Sequence, residues 1–210
     1  MKRFDIVTEA EARVLEHGST ILLAAGGHIT PLALDTLRAR RITVMRDGMD
    51  VDGADLAPAA NIRVVAVAGD HTSLALKAEL LRHLRGRGLT AHDLGTHTTD
   101  AVDYPNTAAS VAYAVARREA EAGIVIDGSG IGSAIAANKI AGVRAAMCPT
   151  PMFARYGREH NGVNVLALGS TIVTRHEACA IADAFLDTAM REPRYIRRLA
   201  LIRELEGRNR

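Results

Sequence analysis

Residues 122–139 read AGIVIDGSGIGSAIAANK, and they indicate the fold more clearly than other parts of the chain do. It begins with an apolar run that ends at Asp127, which is typical of a buried strand in a parallel sheet. A glycine-rich turn at 128–132 follows, and the alanine-rich residues after it predict a helix over Ser133–Lys139. Glycines bring backbone N–H groups close to a bound oxygen or phosphate, so this order of strand, turn and helix indicates a ligand site.

The same alternation of strands and helices continues on both sides of this stretch. Other apolar runs predict strands at 62–69, 89–95, 143–147 and 163–169. Apolar residues at helical spacing predict helices at 74–88, 105–118, 150–160 and 176–188. Strands that alternate with helices form right-handed βαβ units, so we predict an α/β fold with a doubly wound parallel sheet, a βαβ three-layer sandwich.

A shorter segment precedes this domain. Within it, Gly26–Gly27 predicts a turn after an apolar run, and Thr30–Pro31 predicts the start of a helix. Residues 47–61 read DGMDVDGADLAPAAN, which lacks hydrophobic periodicity and predicts a linker. We therefore predict a small α/β appendage with its linker at 1–60 and the main domain at 61–210.

The composition argues against several classes of protein. The 26 basic and 24 acidic residues leave a net charge of +2, which disfavours nucleic acid or a membrane surface as partner. We see no apolar run long enough to span a bilayer and no signal-peptide core at the start. Cys148 and Cys179 lack CxxC spacing, which favours a reduced, cytoplasmic setting.

Polar residues cluster where the predicted strands end, and ligands bind at these ends of parallel strands. Asp70 and His71 follow the first strand of the main domain. They either contact a sugar, or Asp70 caps the next helix. Asp127 is either a base whose pKa is raised by burial, or a hydrogen-bond acceptor for the backbone of its own loop.

Two further groups of polar residues are candidates for a ligand site. His160 and Asn161 precede the last strand and either line the same crevice or cap the preceding helix. Arg194 and Arg198 lie one helical turn apart, which suits either a phosphate or a solvated helix end.

Several motifs, in the same order along the chain, resemble the type-B ribose-5-phosphate isomerase family, which also includes the galactose-6-phosphate isomerase subunits. They are GDH at 69–71, DYP at 103–105, GSGIG at 128–132, AANK at 136–139, GVRAA at 142–146, REHN at 158–161, NVLALG at 164–169 and RYIRR at 194–198. The resemblance implies a Rossmann-like fold and an aldose–ketose isomerase of a small phosphorylated sugar. It also implies a homodimer or a dimer of dimers, active sites shared between protomers, and no metal or nucleotide cofactor.

The resemblance also implies roles for individual residues. The loop at 128–132 and Asn138 hold the enediolate oxygens, His160 helps to open the sugar ring, and two arginines bind phosphate across the dimer interface. The catalytic set is Asp127, His160 and Ser129. The substrate-binding set is Asp70, His71, Tyr104, Gly128, Gly130, Gly132, Asn138, Asn161, Arg194 and Arg198.

The chain departs from the family pattern at the base. Many members have a Cys where this chain has Asp127, and another branch uses a Glu at the position of Ser133. A phosphate-contacting Arg of the family is here Thr171, and a His is here Tyr195. We interpret Asp127 as the base for a pentose or tetrose phosphate. The alternatives are a non-catalytic subunit that binds sugar phosphate or supports an active partner, and a phosphatase, which would need a second Asp at position 129.

Part of the appendage has a resemblance of its own. GGHITPLALDTLRARRITV at 26–44 is similar to short extensions on some enzymes of bacterial microcompartments. This similarity implies packaging inside such a compartment. An oligomer contact and an extra lid are the other interpretations.

Overall fold

The structure is a computed structural model that describes residues 2–46, 56–59, 61–190 and 193–208. The chain divides into two units, Met1–Gly53 and Ala54–Arg210. The linker predicted at 47–61 lies mostly outside the described residues, and the predicted boundary after residue 60 stays a prediction. In the described ranges, no helix combines the length and the apolar character that crossing a membrane requires.

The first unit is a parallel three-stranded sheet in the order β1-β2-β3 with two helices. Its elements are β1 (Arg3–Val7), α1 (Glu9–Val14), β2 (Thr20–Ile29), α2 (Pro31–Ala39) and β3 (Thr43–Arg46). The predicted start of α2 is confirmed, because Thr30 caps the helix and Pro31 occupies its first turn.

The turn predicted at Gly26–Gly27 is wrong, because β2 continues through it to Ile29. The register between β1 and β2 shifts there instead, between Phe4 and Ile6 of β1. A Cβ on Gly27 would lie 2.8 Å from the Ala24 carbonyl oxygen and 2.9 Å from that of Asp5. Glycine therefore allows a bulge inside the strand rather than a reversal of the chain.

The second unit is the predicted α/β domain, and the doubly wound parallel sheet is confirmed. Its five strands are all parallel, in the order β5-β4-β6-β8-β7. The strands are β4 (Val64–Gly69), β5 (Thr90–Asp93), β6 (Ala122–Asp127), β7 (Ala145–Met147) and β8 (Val165–Gly169). The helices are α3 (Leu74–Gly86), α4 (Tyr104–Ala116), α5 (Ile131–Ala137), α6 (Pro151–Asn161), α7 (Arg175–Leu186) and α8 (Pro193–Arg208).

The central strands separate two apolar layers. Ile124 and Ile126 of β6 pack into the cluster that contains residues of α3, α6 and α7. Val125 points the other way, into the cluster that contains residues of α4 and α5. Strand order reverses between β4 and β6, and ligands of open parallel sheets bind beyond the strand ends at such a point.

A buried arginine and a half-buried one attach residues 56–59 to the rest of the second unit. Arg158 is fully buried, and it donates to the carbonyl oxygens of Ala59 and Val163, both at 2.9 Å. Arg144 donates to the carbonyl oxygens of Leu56 at 3.0 Å and Gly162 at 2.7 Å. Burial lowers the pKa of Arg158 to about 10, with a smaller contribution from the charge of Arg144.

Candidate active site

The candidate active site lies where β4, β6 and β8 end side by side, which we call the carboxyl edge. The Asp70 N–H donates to the Ile126 carbonyl at 3.0 Å, and the Ser170 N–H donates to the Asp127 carbonyl at 2.7 Å. The hydroxyls of Thr72 and Ser170 lie 3.1 Å apart. Because Asp70 and Asp127 are only 5% and 4% exposed, two carboxylates stand nearly buried on neighbouring strand ends.

The glycine loop folds around the carboxylate of Asp127. Oδ1 accepts the N–H of Ser129 at 2.7 Å and that of Gly130 at 2.5 Å, while Oδ2 accepts the N–H of Ser133 at 2.7 Å. Burial alone would raise the pKa of Asp127, but hydrogen bonds from Ser133, Gly130 and Ser129 outweigh it, and the pKa is lowered. The predicted raised pKa is therefore wrong, because N–H groups at the start of α5 stabilise the charged form.

The same hydrogen bonds change what the loop can offer a ligand. The N–H groups of Ser129 and Gly130 point to Asp127, and that of Ile131 is bonded to the Ser129 hydroxyl at 3.2 Å. Within the described residues, no acceptor is hydrogen-bonded to the N–H of Gly128 or Gly132. These two N–H groups are the ones that the loop leaves available to an oxyanion.

Gly130 fixes the path of the loop. Its φ is +78°, and a Cβ there would lie 2.8 Å from the carbonyl carbon of Leu168 and 3.0 Å from the nitrogen of Gly169. We expect Gly130→Ala to lower the free energy of unfolding by about 2 kcal/mol or more, measured by urea denaturation. Gly128→Ala is the matched control, because its Cβ meets nothing within 4 Å. Equal urea midpoints for the two variants would refute this packing account.

Tyr104 lies beside the loop, and His71 follows the end of β4. Nδ1 of His71 accepts the Val102 N–H at 3.3 Å, so in the neutral ring Nε2 carries the proton and can donate to a sugar hydroxyl. The Tyr104 ring packs on Gly132, where a Cβ would lie 2.6 Å from it. Asp70 does not cap α3 with its side chain. Its Oδ1 instead accepts two hydrogen bonds from Thr72, from the N–H at 2.9 Å and from the hydroxyl at 2.6 Å.

A buried ion pair supports this edge, and sequence reasoning missed it. Lys77 is 3% exposed, and its Nζ donates to Asp93 at 2.6 Å and to the Thr96 carbonyl at 2.7 Å. The Gly69 N–H donates to the Gly95 carbonyl at 2.9 Å, so the loop after β5 is held against the end of β4. The available signal was a lysine on the apolar face of α3, together with an aspartate at the end of a strand.

The other predicted site residues lie at the opposite edge of the sheet, the amino edge. Helix α6 follows the end of β7 and leads to the start of β8, and His160 lies in its last turn. Eleven residues of helix span about 16 Å. One protomer therefore does not bring His160 and Asn161 together with Asp127.

His160 forms an aromatic and basic cluster with α8. Its ring centroid lies 5.1 Å from that of Tyr156 and 4.7 Å from that of Tyr195. The guanidinium carbons of Arg194 and Arg198 lie 4.8 and 5.8 Å from the centre of the Tyr195 ring. The structure thus groups the predicted ring-opening residue with the predicted phosphate-binding arginines.

Asn138 does not reach the loop, which corrects its predicted role on the enediolate. It follows the last residue of α5, at the amino edge. Its Nδ2 donates to the carbonyls of Ala134 at 2.9 Å and Ala145 at 2.8 Å, and its Oδ1 accepts the Ala145 N–H at 2.8 Å. The side-chain amide therefore joins the end of α5 to the start of β7.

The sequence matches known proteins over the second unit. Residues 65–202 match the family described as Ribose/Galactose Isomerase. The chain belongs to this family. Ribose-5-phosphate isomerase B of Escherichia coli K12 is 42% identical over 147 residues, which cover 70% of this chain and 99% of that protein.

Solved structures of the ribose/galactose isomerase family have the same fold. Ribose-5-phosphate isomerase B of Clostridium thermocellum gives a TM-score of 0.69 at 40% identity, covering 70% of this chain and 99% of that one. Ribose-5-phosphate isomerase B of Mycoplasma genitalium, solved with bound ribulose 5-phosphate, gives a TM-score of 0.67 at 38% identity. The match covers 69% of this chain and 96% of that one. The family match begins at residue 65, so the first unit lies outside it.

Proposed function

We propose that this chain interconverts the aldose and ketose forms of a small sugar phosphate, with ribose 5-phosphate and ribulose 5-phosphate as the first pair and Asp127 as the base. Relatives named ribose-5-phosphate isomerase B support the reaction class, and one of them is solved with ribulose 5-phosphate. The observation that carries the choice of base is the nearly buried, ionised carboxylate of Asp127 on the glycine loop.

The proposed chemistry is proton transfer through a cis-enediol. Asp127 takes the proton from the carbon beside the carbonyl and returns it to the neighbouring carbon. Oδ2 suits this step, because it accepts one backbone hydrogen bond whereas Oδ1 accepts two. The N–H groups of Gly128 and Gly132 would stabilise the developing oxyanion, and His71 would donate to a sugar hydroxyl.

A second copy of the chain would complete the site. Ile131 and Ile135 of α5 and Met152, Phe153 and Tyr156 of α6 are each more than half exposed. Helix α5 contacts β7, which is an edge strand of the sheet, and α6 follows β7 along the chain. An apolar surface of this kind is typical of a subunit interface. A homodimer, alone or paired into a dimer of dimers, would bring the partner's His160 and arginines to the Asp127 loop.

A non-catalytic, sugar-phosphate-binding subunit is the second candidate. The lowered pKa favours it, because a carboxylate held by three backbone N–H groups is a weaker base than an unpaired one. This candidate predicts binding without turnover, whereas the isomerase predicts both.

A panel of tetrose, pentose and hexose phosphates tests the proposed function. We expect wild-type protein at neutral pH to convert a pentose or a tetrose phosphate, measured as ketose formation. Calorimetric binding without conversion of any sugar would favour the non-catalytic candidate. Neither binding nor conversion would contradict both.

Microcompartment packaging remains a separate proposal for residues 1–60. Deleting them and finding unchanged localisation, assembly and activity would remove it.

A further inference from the structure

Ser133 carries a buried hydroxyl that the fold does not use. The residue is fully buried in the first turn of α5. Within the described residues, its Oγ has no hydrogen-bond partner. A buried hydroxyl without a partner costs stability, so its presence beside the proposed base calls for a reason.

The hydroxyl lies next to the carboxylate of Asp127. The Ser133 N–H donates to Oδ2 at 2.7 Å, and Oγ is separated from that nitrogen by only three covalent bonds. The side chain is close enough to lower the pKa of Asp127, although its Oγ has no hydrogen-bond partner within the described residues. Rotation about the Cα–Cβ bond of Ser133 changes the direction in which its hydroxyl points.

We propose that Ser133 is a positioning residue for proton transfer by Asp127, and that in the substrate complex its hydroxyl turns to donate to Oδ2 while that oxygen is ionised and releases it when the oxygen is protonated. This inference rests on the proposed function. In the forward step a substrate C–H bond breaks, an O–H bond forms on Oδ2, and the electron pair enters the enediolate. In the return step the proton leaves Oδ2 for the neighbouring carbon, the O2 hydroxyl proton of the enediolate passes to O1, and Ser133 keeps its own proton throughout.

The titratable groups around Asp127 come from the elements packed against its loop. The end of β4 contributes Asp70 and His71, and α4 contributes Tyr104. The end of β8 contributes uncharged hydroxyls, those of Ser170 and Thr171. Because Ser133→Ala leaves all of these groups in place, a pH effect of this substitution would arise from the lost hydroxyl.

Ser133→Ala tests the inference in the full-length protein. We expect kcat to fall about tenfold and the acid limb of kcat to move to higher pH, because the ionised carboxylate of the substrate complex loses a donor. We expect the melting temperature to stay equal or rise, because a methyl group replaces an unpartnered hydroxyl.

Ser19→Ala is the matched control, because Ser19 also has a buried hydroxyl without a partner in the described residues but lies in the first unit. We expect its kcat and pH profile to equal those of wild type. If wild type turns over and Ser133→Ala keeps the same kcat and acid limb, the inference on Ser133 is overturned and the proposed function stands. If wild type converts no sugar, both are overturned.

Discussion

Replacing Asp127 with asparagine is expected to lower kcat for aldose–ketose conversion about 10³-fold, because an amide cannot take the proton. KM should change little, since the sugar and phosphate contacts remain. Asp127→Cys is the informative partner, because cysteine is the base that the family resemblance implies at this position. The measurement is ketose formation from the sugar that wild type prefers, for all three proteins.

The pH profiles separate the two bases. Because the pKa of Asp127 is lowered, titration of this base should limit wild-type activity only below the ordinary carboxyl value of about 3.9. Asp127→Cys should lose activity at a higher pH than wild type does, because the ordinary pKa of a thiol, about 8.5, lies well above that of a carboxyl. An Asp127→Asn variant with the wild-type kcat would show that another group is the base.

Measurements of the free energy of unfolding distinguish a folding defect in Asp127→Asn from a loss of catalysis. A lowered folded-state pKa means that the Asp127 hydrogen bonds stabilise the fold above the unfolded value of about 3.9 and are lost as pH falls through the folded value. In Asp127→Asn an NH₂ group must face either Ser133 or the pair Ser129 and Gly130, which costs about 1–3 kcal/mol. Urea denaturation at pH 7 measures this cost, and kinetics should be compared only where both proteins are folded.

Mixing two inactive variants is expected to restore activity to about a quarter of wild type. One variant is Asp127→Asn, which loses the carboxyl-edge half of the site. The other is Arg194→Met with Arg198→Met, which loses the amino-edge half. Random pairing makes half of the dimers mixed, and each mixed dimer has one site with both halves intact.

The unselected mixture from co-expression with two affinity tags should be compared with each variant alone, and the mixed dimers purified from it should reach about half of the wild-type activity. Recovery requires that a site takes its base from one protomer and its arginines from the other. No recovery in purified mixed dimers would contradict the shared site. In that case Asp127 and the arginines would have to act together within one chain. That would conflict with the length of α6, which separates the two edges of the sheet.

Local patterns were enough to predict the central strand–loop–helix unit. The apolar run before Asp127 and the glycines after it define β6 and the turn, and regular alternation on both sides defines the parallel sheet. The start of α5 was predicted at Ser133, whereas the helix begins at Ile131, because Gly130 with a φ of +78° already ends the turn. That angle is not encoded in apolar periodicity.

Properties that depend on atomic contacts could not be predicted in this way. Burial of Asp127 follows from its apolar strand, but the direction of its pKa depends on where three N–H groups point. The motif around Asn138 predicts contact with the ligand, yet its hydrogen-bond partner Ala145 is close only in the folded chain. The position of His160 could be predicted from the sequence, because a helix between two parallel strands ends at the amino edge of the sheet.

The most direct test of a carboxylate base follows the fate of hydrogen at C2 of the sugar. Ribose 5-phosphate that carries deuterium at C2 would be incubated with wild type and with Asp127→Asn at pH 7, and the loss of deuterium from C2 followed by NMR. We expect wild type to remove it while the ketose forms, and Asp127→Asn to leave it in place. Removal by Asp127→Asn at the wild-type rate, or no removal by wild type that binds the sugar, would contradict a carboxylate base in this chain.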